Sequence, residues 1–148
     1  MNAYRNVGVE SIVESASPTQ LVLMLYEGAI AALASAQQHM LQKNIAAKGE
    51  AISKAITIIE SGLRASLDLS VGGALAQNLS ELYQYMGRRL LYANHKNDSA
   101  ALDEVRQLLQ QLRSAWETLD ANTAATAAAA KPTAPPQPNR AATPYGRI

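Results

Sequence analysis

Cysteine and phenylalanine are absent from this chain of 148 residues, tryptophan occurs once and histidine twice. The missing cysteines exclude a disulfide framework, an iron–sulfur cluster, a thiolate zinc site and a cysteine nucleophile. Without phenylalanine the core must come from Leu, Ile, Val, Met and Ala, which favour helices over strands. Charge of one sign is lacking too. Thirteen Lys and Arg against twelve Asp and Glu leave a formal charge of +1, so no broad basic field attracts nucleic acid or an anionic bilayer, and neither partner is expected. Long apolar runs are scarce. Residues Leu21 to Ala36 are interrupted by Glu27 and fall short of the roughly 20 residues that span a bilayer. Met1 to Ser17 carries Arg5, Glu10 and Glu14 without the unbroken apolar stretch of a secretory signal. A cytoplasmic protein with no membrane insertion is the expectation.

Composition divides the chain into three parts. Residues 1–17 form a short apolar lead segment, residues 18–120 a helical domain, and residues 121–148 a tail dominated by Ala, Thr and Pro. Charge follows the same division: the tail holds Lys131, Arg140 and Arg147 and no acid. Such a tail cannot bury a core and is expected to be disordered. Tyr145 and its basic neighbours offer a partner contact as the alternative.

Four helices are predicted. The first opens with Ser17 as N-cap, Pro18 at the first helical position and Gln20 three residues after the cap, and runs to about Lys43. At 100° per residue, Val22, Leu25, Tyr26, Ala29, Leu33, Ala36 and Met40 share its core face. The second covers about Ile45 to Leu69, with Ile45, Ile52, Ile56, Ile59, Leu63 and Leu67 in one row, and Gly72-Gly73 turns the chain after it. The third, about Ala74 to Asn94, presents Leu75, Leu79, Leu82, Met86, Leu90 and Ala93. Asp98 caps the fourth, about Ser99 to Leu119, whose row is Leu102, Val105, Leu109, Leu112, Trp116 and Leu119. Short turns between helices of this length imply an all-α fold, an antiparallel up-down four-helix bundle.

Helices one and two carry more apolar surface than such a core uses. Opposite its Ile row, the second presents Ala47, Ala51, Ile58, Gly62, Ala65 and Leu69; the first has a comparable back face in Leu21, Met24, Gly28, Ala31 and Ser35. Small residues let another helix approach closely, with Leu21, Met24, Ile58 and Leu69 as anchors, which reads as a helix-binding groove. The alternative is an exposed helical face with scattered apolar residues. In the lead segment, Tyr4, Val7 and Val9 either cover this groove or add a fixed turn over one end of the core. Tyr85 and Tyr92, beside Glu81 and Arg88, are either interface anchors or part of a solvated face.

Catalytic and metal-binding patterns are missing. No Glu precedes His39 or His95 by three residues, as a carboxylate-bridged metal site in a bundle requires. Gly72-Gly73 lacks the Lys-Ser/Thr of a phosphate loop, and the serines have no partnering base. No enzyme, cofactor, metal or small-molecule substrate is expected. The remaining chemical alternative is histidine phosphotransfer through His39, on the outer side of the first helix; Met40-Leu41-Gln42-Lys43-Asn44 departs from the Leu, Lys and Gly spacing of that motif.

Five blocks in order carry a family resemblance from Tyr4 to about Leu119. They are Ser17-Pro18 with Leu21 and Leu25-Tyr26-Glu27-Gly28-Ala29-Ile30; Lys54-Ala55 with Ile59 and Leu63; Ser66-Leu67-Asp68 before Gly72-Gly73; Ala76-Gln77-Asn78-Leu79 with Leu82-Tyr83-Gln84-Tyr85-Met86; and Leu90, Ala93-Asn94 and Trp116. In these the chain resembles the FliS family of flagellin-specific export chaperones. The resemblance implies a helical bundle that binds the C-terminal segment of flagellin in the cytoplasm, prevents its premature polymerisation and delivers it to the flagellar export apparatus. It also implies that the segment around Tyr4 lies near the groove and moves on binding. The partner-binding residues are then expected to be Leu21, Met24, Gly28, Ala51, Ile58, Gly62, Ala65 and Leu69, with Tyr85 and Tyr92 on the rim.

Overall fold

The computed structural model describes residues 17–130, and their side chains up to residue 122. The groove-cover residues Tyr4, Val7 and Val9, and the tail beyond residue 130, lie outside that range. The described elements are all helical: α1 (Pro18–Leu41), α2 (Ile45–Thr57) continued by a π-helical turn (Ile58–Arg64), α3 (Leu69–Lys96) and α4 (Ser99–Ala130). Together they make a four-helix bundle.

Side-chain caps start these helices, and those at Ser17 and Asp98 were read from the sequence. The amide of Gln20 donates to Ser17 Oγ and that of Ser17 to Gln20 Oε1, both at 3.1 Å, a closed capping box. Asn44 Oδ1 accepts from the Ala47 amide at 3.2 Å to open α2. Asp98 Oδ1 accepts from Ala100 and Ala101 at the start of α4. Asp68 does the same for Ser70 and Val71, and these bonds hold its exposed carboxyl below the ordinary carboxylate range, the Ser70 hydroxyl contributing most.

That last cap corrects the expected boundaries. The second helix does not reach Leu69; Leu69 is the first residue of α3, and the Gly pair sits inside α3 as a kink, with Gly73 at φ 59°, ψ −136°. Only glycine adopts that conformation without strain. Leu75, two residues past the kink, is 68% exposed, although the periodicity placed it in the core. Ile45, also expected in the core, is 61% exposed at the α1–α2 turn. α4 continues to Ala130, past the helix end expected at about Leu119. Ala-rich sequence carries no core but has the highest helix propensity. Residues from Trp116 onward form a unit separate from the one ending at Ala115; Leu119, assigned to the core row, is half-exposed.

The bundle core combines Tyr26, Ala29, Leu33 and Ala36 of α1, Ile52, Ala55, Ile59 and Leu63 of the α2 rod, Tyr83, Met86, Leu90 and Ala93 of α3, and Leu102, Val105 and Leu109 of α4, all essentially inaccessible. Each fully buried Leu, Ile, Val or Met side chain among them contributes roughly 1.5–3 kcal/mol. Antiparallel neighbours follow from cross-helix pairs: Arg64 meets Ser80, and Lys48 meets Asn94, between α2 and α3; Tyr85 and Arg89 of α3 meet Glu104 of α4. α1 is longer than the apolar run that marked it, and among the described residues it alone is long and apolar enough to cross a membrane, with mean hydropathy 1.4 over 18 residues. Here its inner face forms bundle core.

Candidate functional site

Between α1 and α2 runs an open groove of about 380 Å³. α1 contributes Gly28, Ala31, Ala32, Ser35 and His39, and α2 contributes Ala47, Glu50, Ala51 and Lys54. Four of these nine residues are alanines and one is glycine, so the wall is low and apolar, with one acid and one base on its α2 side. Gly28 and Ala51, both expected to meet a partner, are brought together here. The back-to-back small residues of the two helices are therefore one concave feature, and Ala31, on its floor, is exposed.

Toward the other end of the hairpin the helices close on each other. A Cβ on Gly28 would stand 3.4 Å from Ile58 Cδ1, and one on Gly62 would stand 3.0 Å from Leu25 Cδ2. Ile58 and Gly62 thus pack against α1 while remaining half-buried. Leu21 is half-buried, Met24 and Ala65 are exposed, and Leu69 is 47% exposed at the head of α3. Val71 and Leu75 add exposed apolar surface beside Leu69 in the chain.

Tyr85 and Tyr92 do not line the groove. Tyr85 donates its hydroxyl to Glu104 Oε2 at 2.5 Å, and Arg89 Nε reaches Oε1 of the same carboxylate at 2.9 Å. The Arg89 guanidinium also lies 5.1 Å from the Tyr92 ring centroid, a cation–π geometry. The Tyr85 hydroxyl, then Arg89, hold the Glu104 carboxyl below its usual range; the same bond pushes the Tyr85 phenol upward. This cluster ties α3 to α4. Glu81 and Arg88, the neighbours noted in the sequence, take no part in these bonds.

Two buried polar features escaped the sequence reading. Lys48 is only 2% exposed; its ammonium donates to the Asn94 carbonyl at 3.0 Å and to Asn97 Oδ1, at the C-terminal end of α3. A cation there meets the negative end of the helix dipole. Its position between Ile45 and Ile52, three and four residues away on the core row, was the available signal. Across the core, the Tyr26 and Tyr83 hydroxyls bond each other, and burial followed by that bond pushes the Tyr83 phenol well above its ordinary value.

His39 is half-buried at the groove's edge, where an outward position was expected. Its Nδ1 is buried with no hydrogen-bond partner among the described residues. No group of three or more His, Asp or Glu suited to a metal ion occurs among the described residues. What the geometry offers is a shallow apolar trough with an exposed apolar end, suited to an amphipathic chain.

Comparisons with known proteins give the chain a family. The family model for Flagellar protein FliS covers residues 1–123. A flagellar secretion chaperone FliS from Salmonella typhimurium is 53% identical over 119 residues, 80% of this chain and 88% of the relative. The Escherichia coli K12 protein of the same description is 50% identical over 115 residues, 78% and 85% of the two chains. A flagellar secretion chaperone FliSB from Pseudomonas aeruginosa is 44% identical over 117 residues, 79% and 92% of the two.

Proposed function

Because the chain belongs to the FliS family of flagellar secretion chaperones, we propose that it binds the disordered C-terminal segment of flagellin in the cytoplasm, prevents premature polymerisation and delivers the segment to the flagellar export apparatus. The observation that carries this reading is the low-walled α1–α2 groove, floored by Gly28, Ala31 and Ala51 and continued by exposed Met24, Ala65 and Leu69. A segment that is disordered when free hides its apolar residues only by folding against such a surface, and the interaction must exceed the ordering entropy of the bound residues. The small floor residues allow a helix backbone to sit close; the larger residues at the open end supply its anchors. Tyr4, Val7 and Val9 are assigned to a cover that leaves the groove when the partner arrives. Tyr85 serves the α3–α4 seam, and the exposed Tyr92 is assigned to a partner contact outside the trough. The role is binding, not catalysis.

Ala31→Glu is the direct test, since that side chain is exposed on the groove floor and its replacement leaves the core untouched. Titrating a synthetic flagellin C-terminal peptide into the parent protein should release binding heat and add helicity. The variant should melt as the parent does and bind at least tenfold more weakly, about 1.4 kcal/mol. A parent protein that ignores the peptide, or a variant that binds it fully, overturns the reading. Ile58→Glu is less discriminating, because Ile58 also packs on Gly28.

A further inference from the structure

The π turn at Ile58–Arg64 forms the C-terminal end of the α2 rod, within the surface assigned to the partner, and leads into the turn at Ala65 and Ser66. Its cause is visible in the spacing Ala55, Ile59, Leu63, Leu67. In an α-helix each step of four residues drifts by about 40°. Three steps would carry Leu67 about 120° off the row begun by Ala55 and bring Ser66 toward the core. The wider i→i+5 turn absorbs that drift. Ala55, Ile59 and Leu63 are buried, Leu67 is half-buried, and Ser66 is exposed, as the wider turn dictates.

We infer that the π turn is the positioning element of the partner surface: its one additional residue rotates the chain beyond Arg64 by about 100°, facing Ser66 outward and swinging Ala65 off the line of Ile58 and Gly62. This rests on the flagellin-binding reading and deepens it. Along a straight helix Ile58, Gly62 and Ala65 would form one stripe against α1. With the π turn, Ile58 and Gly62 stay against α1 at the Gly28 and Leu25 contacts, and Ala65 and Ser66 join the exposed apolar end that Leu69 continues. Extra-residue turns of this kind sacrifice helix hydrogen-bond geometry and occur frequently at functional sites.

Ser61 is exposed within the turn, so deleting it removes the additional residue without removing a core side chain. The deletion variant should keep the parent's helicity and bind the synthetic flagellin C-terminal peptide at least tenfold more weakly in calorimetry. Ser61→Ala, which keeps the residue count, should bind as the parent does. A folded deletion variant with parental affinity overturns the inference and leaves the flagellin reading intact; a parent that ignores the peptide overturns both. Should the deletion variant fail to fold, Ser66→Glu decides. Tenfold weaker binding at an unchanged melting temperature supports the rotated face, and full affinity overturns it.

Discussion

At the scale of single residues, the buried polar groups are the most exposed to test. Lys48 Nζ holds two oxygens at the end of α3, and hydrogen bonds to a charged group are worth about 1.5–3 kcal/mol. Lys48→Met keeps the aliphatic stem and strands both acceptors, so chemical denaturation should show a loss of about 2–3 kcal/mol; a variant as stable as the parent would remove the ammonium from the structural account. Tyr26→Phe leaves the Tyr83 hydroxyl buried without its partner and should cost about 1–3 kcal/mol, read as a lowered melting temperature. For Glu104 the sign runs toward acid. Its carboxyl titrates lower in the folded state than in the unfolded chain, so its contribution is present above the unfolded value and lost as pH falls through the folded one. Tyr85→Phe removes the largest cause of that shift. Its melting temperature should therefore fall less steeply than the parent's below about pH 4.5. Equal slopes would show that the bond matters little. Tyr85 was visible in the sequence as an aromatic off the core row, but its partner Glu104 was not. A contact between side chains nineteen residues apart leaves no local signature.

At the scale of elements, what reads clearly is what local chemistry determines. Ser17-Pro18-Gln20 and Asp98 announce their helices because a cap is made with amides two or three residues away. The boundary at Leu69 was missed for a physical reason too: Asp68 followed by an apolar residue satisfies both the end of one helix and the start of the next. The double glycine looked like the turn itself. Only Gly73 requires it, through its positive φ. Gly73→Ala should destabilise the bundle by about 1–3 kcal/mol, and Gly72→Ala should also be costly because its Cβ would stand 2.6 Å from that of Ala76. Thermal melts that leave Gly73→Ala at the parental temperature would mean that the kink relaxes freely. The π turn was legible in principle. Four-residue spacing repeated three times is a departure from helical periodicity, but a row drawn at 100° per residue accommodates it until its last member.

At the scale of the whole molecule, the amphipathic pattern fixed the four helices and the existence of surplus apolar surface, while the depth and direction of the groove depended on how two backbones meet. Gly28 and Gly62 set that distance, and no single-chain periodicity reports the partner that a glycine faces. The charge balance leads to the remaining prediction. A formal charge of +1 and a groove with one acid, Glu50, and one base, Lys54, among its alanines provide no field for long-range attraction. Counterion screening should then matter little. Apolar burial coupled to folding of the ligand should instead appear as a negative heat-capacity change. Calorimetry with the flagellin C-terminal peptide from about 0.05 to 0.5 M salt should therefore change the affinity by less than about threefold, with binding heat growing more exothermic as temperature rises. A steep fall in affinity with salt would place the recognition on charged rims such as Arg88 and Arg89 rather than in the trough between α1 and α2, and the peptide's carboxylates, not its apolar face, would then be the determinant of binding.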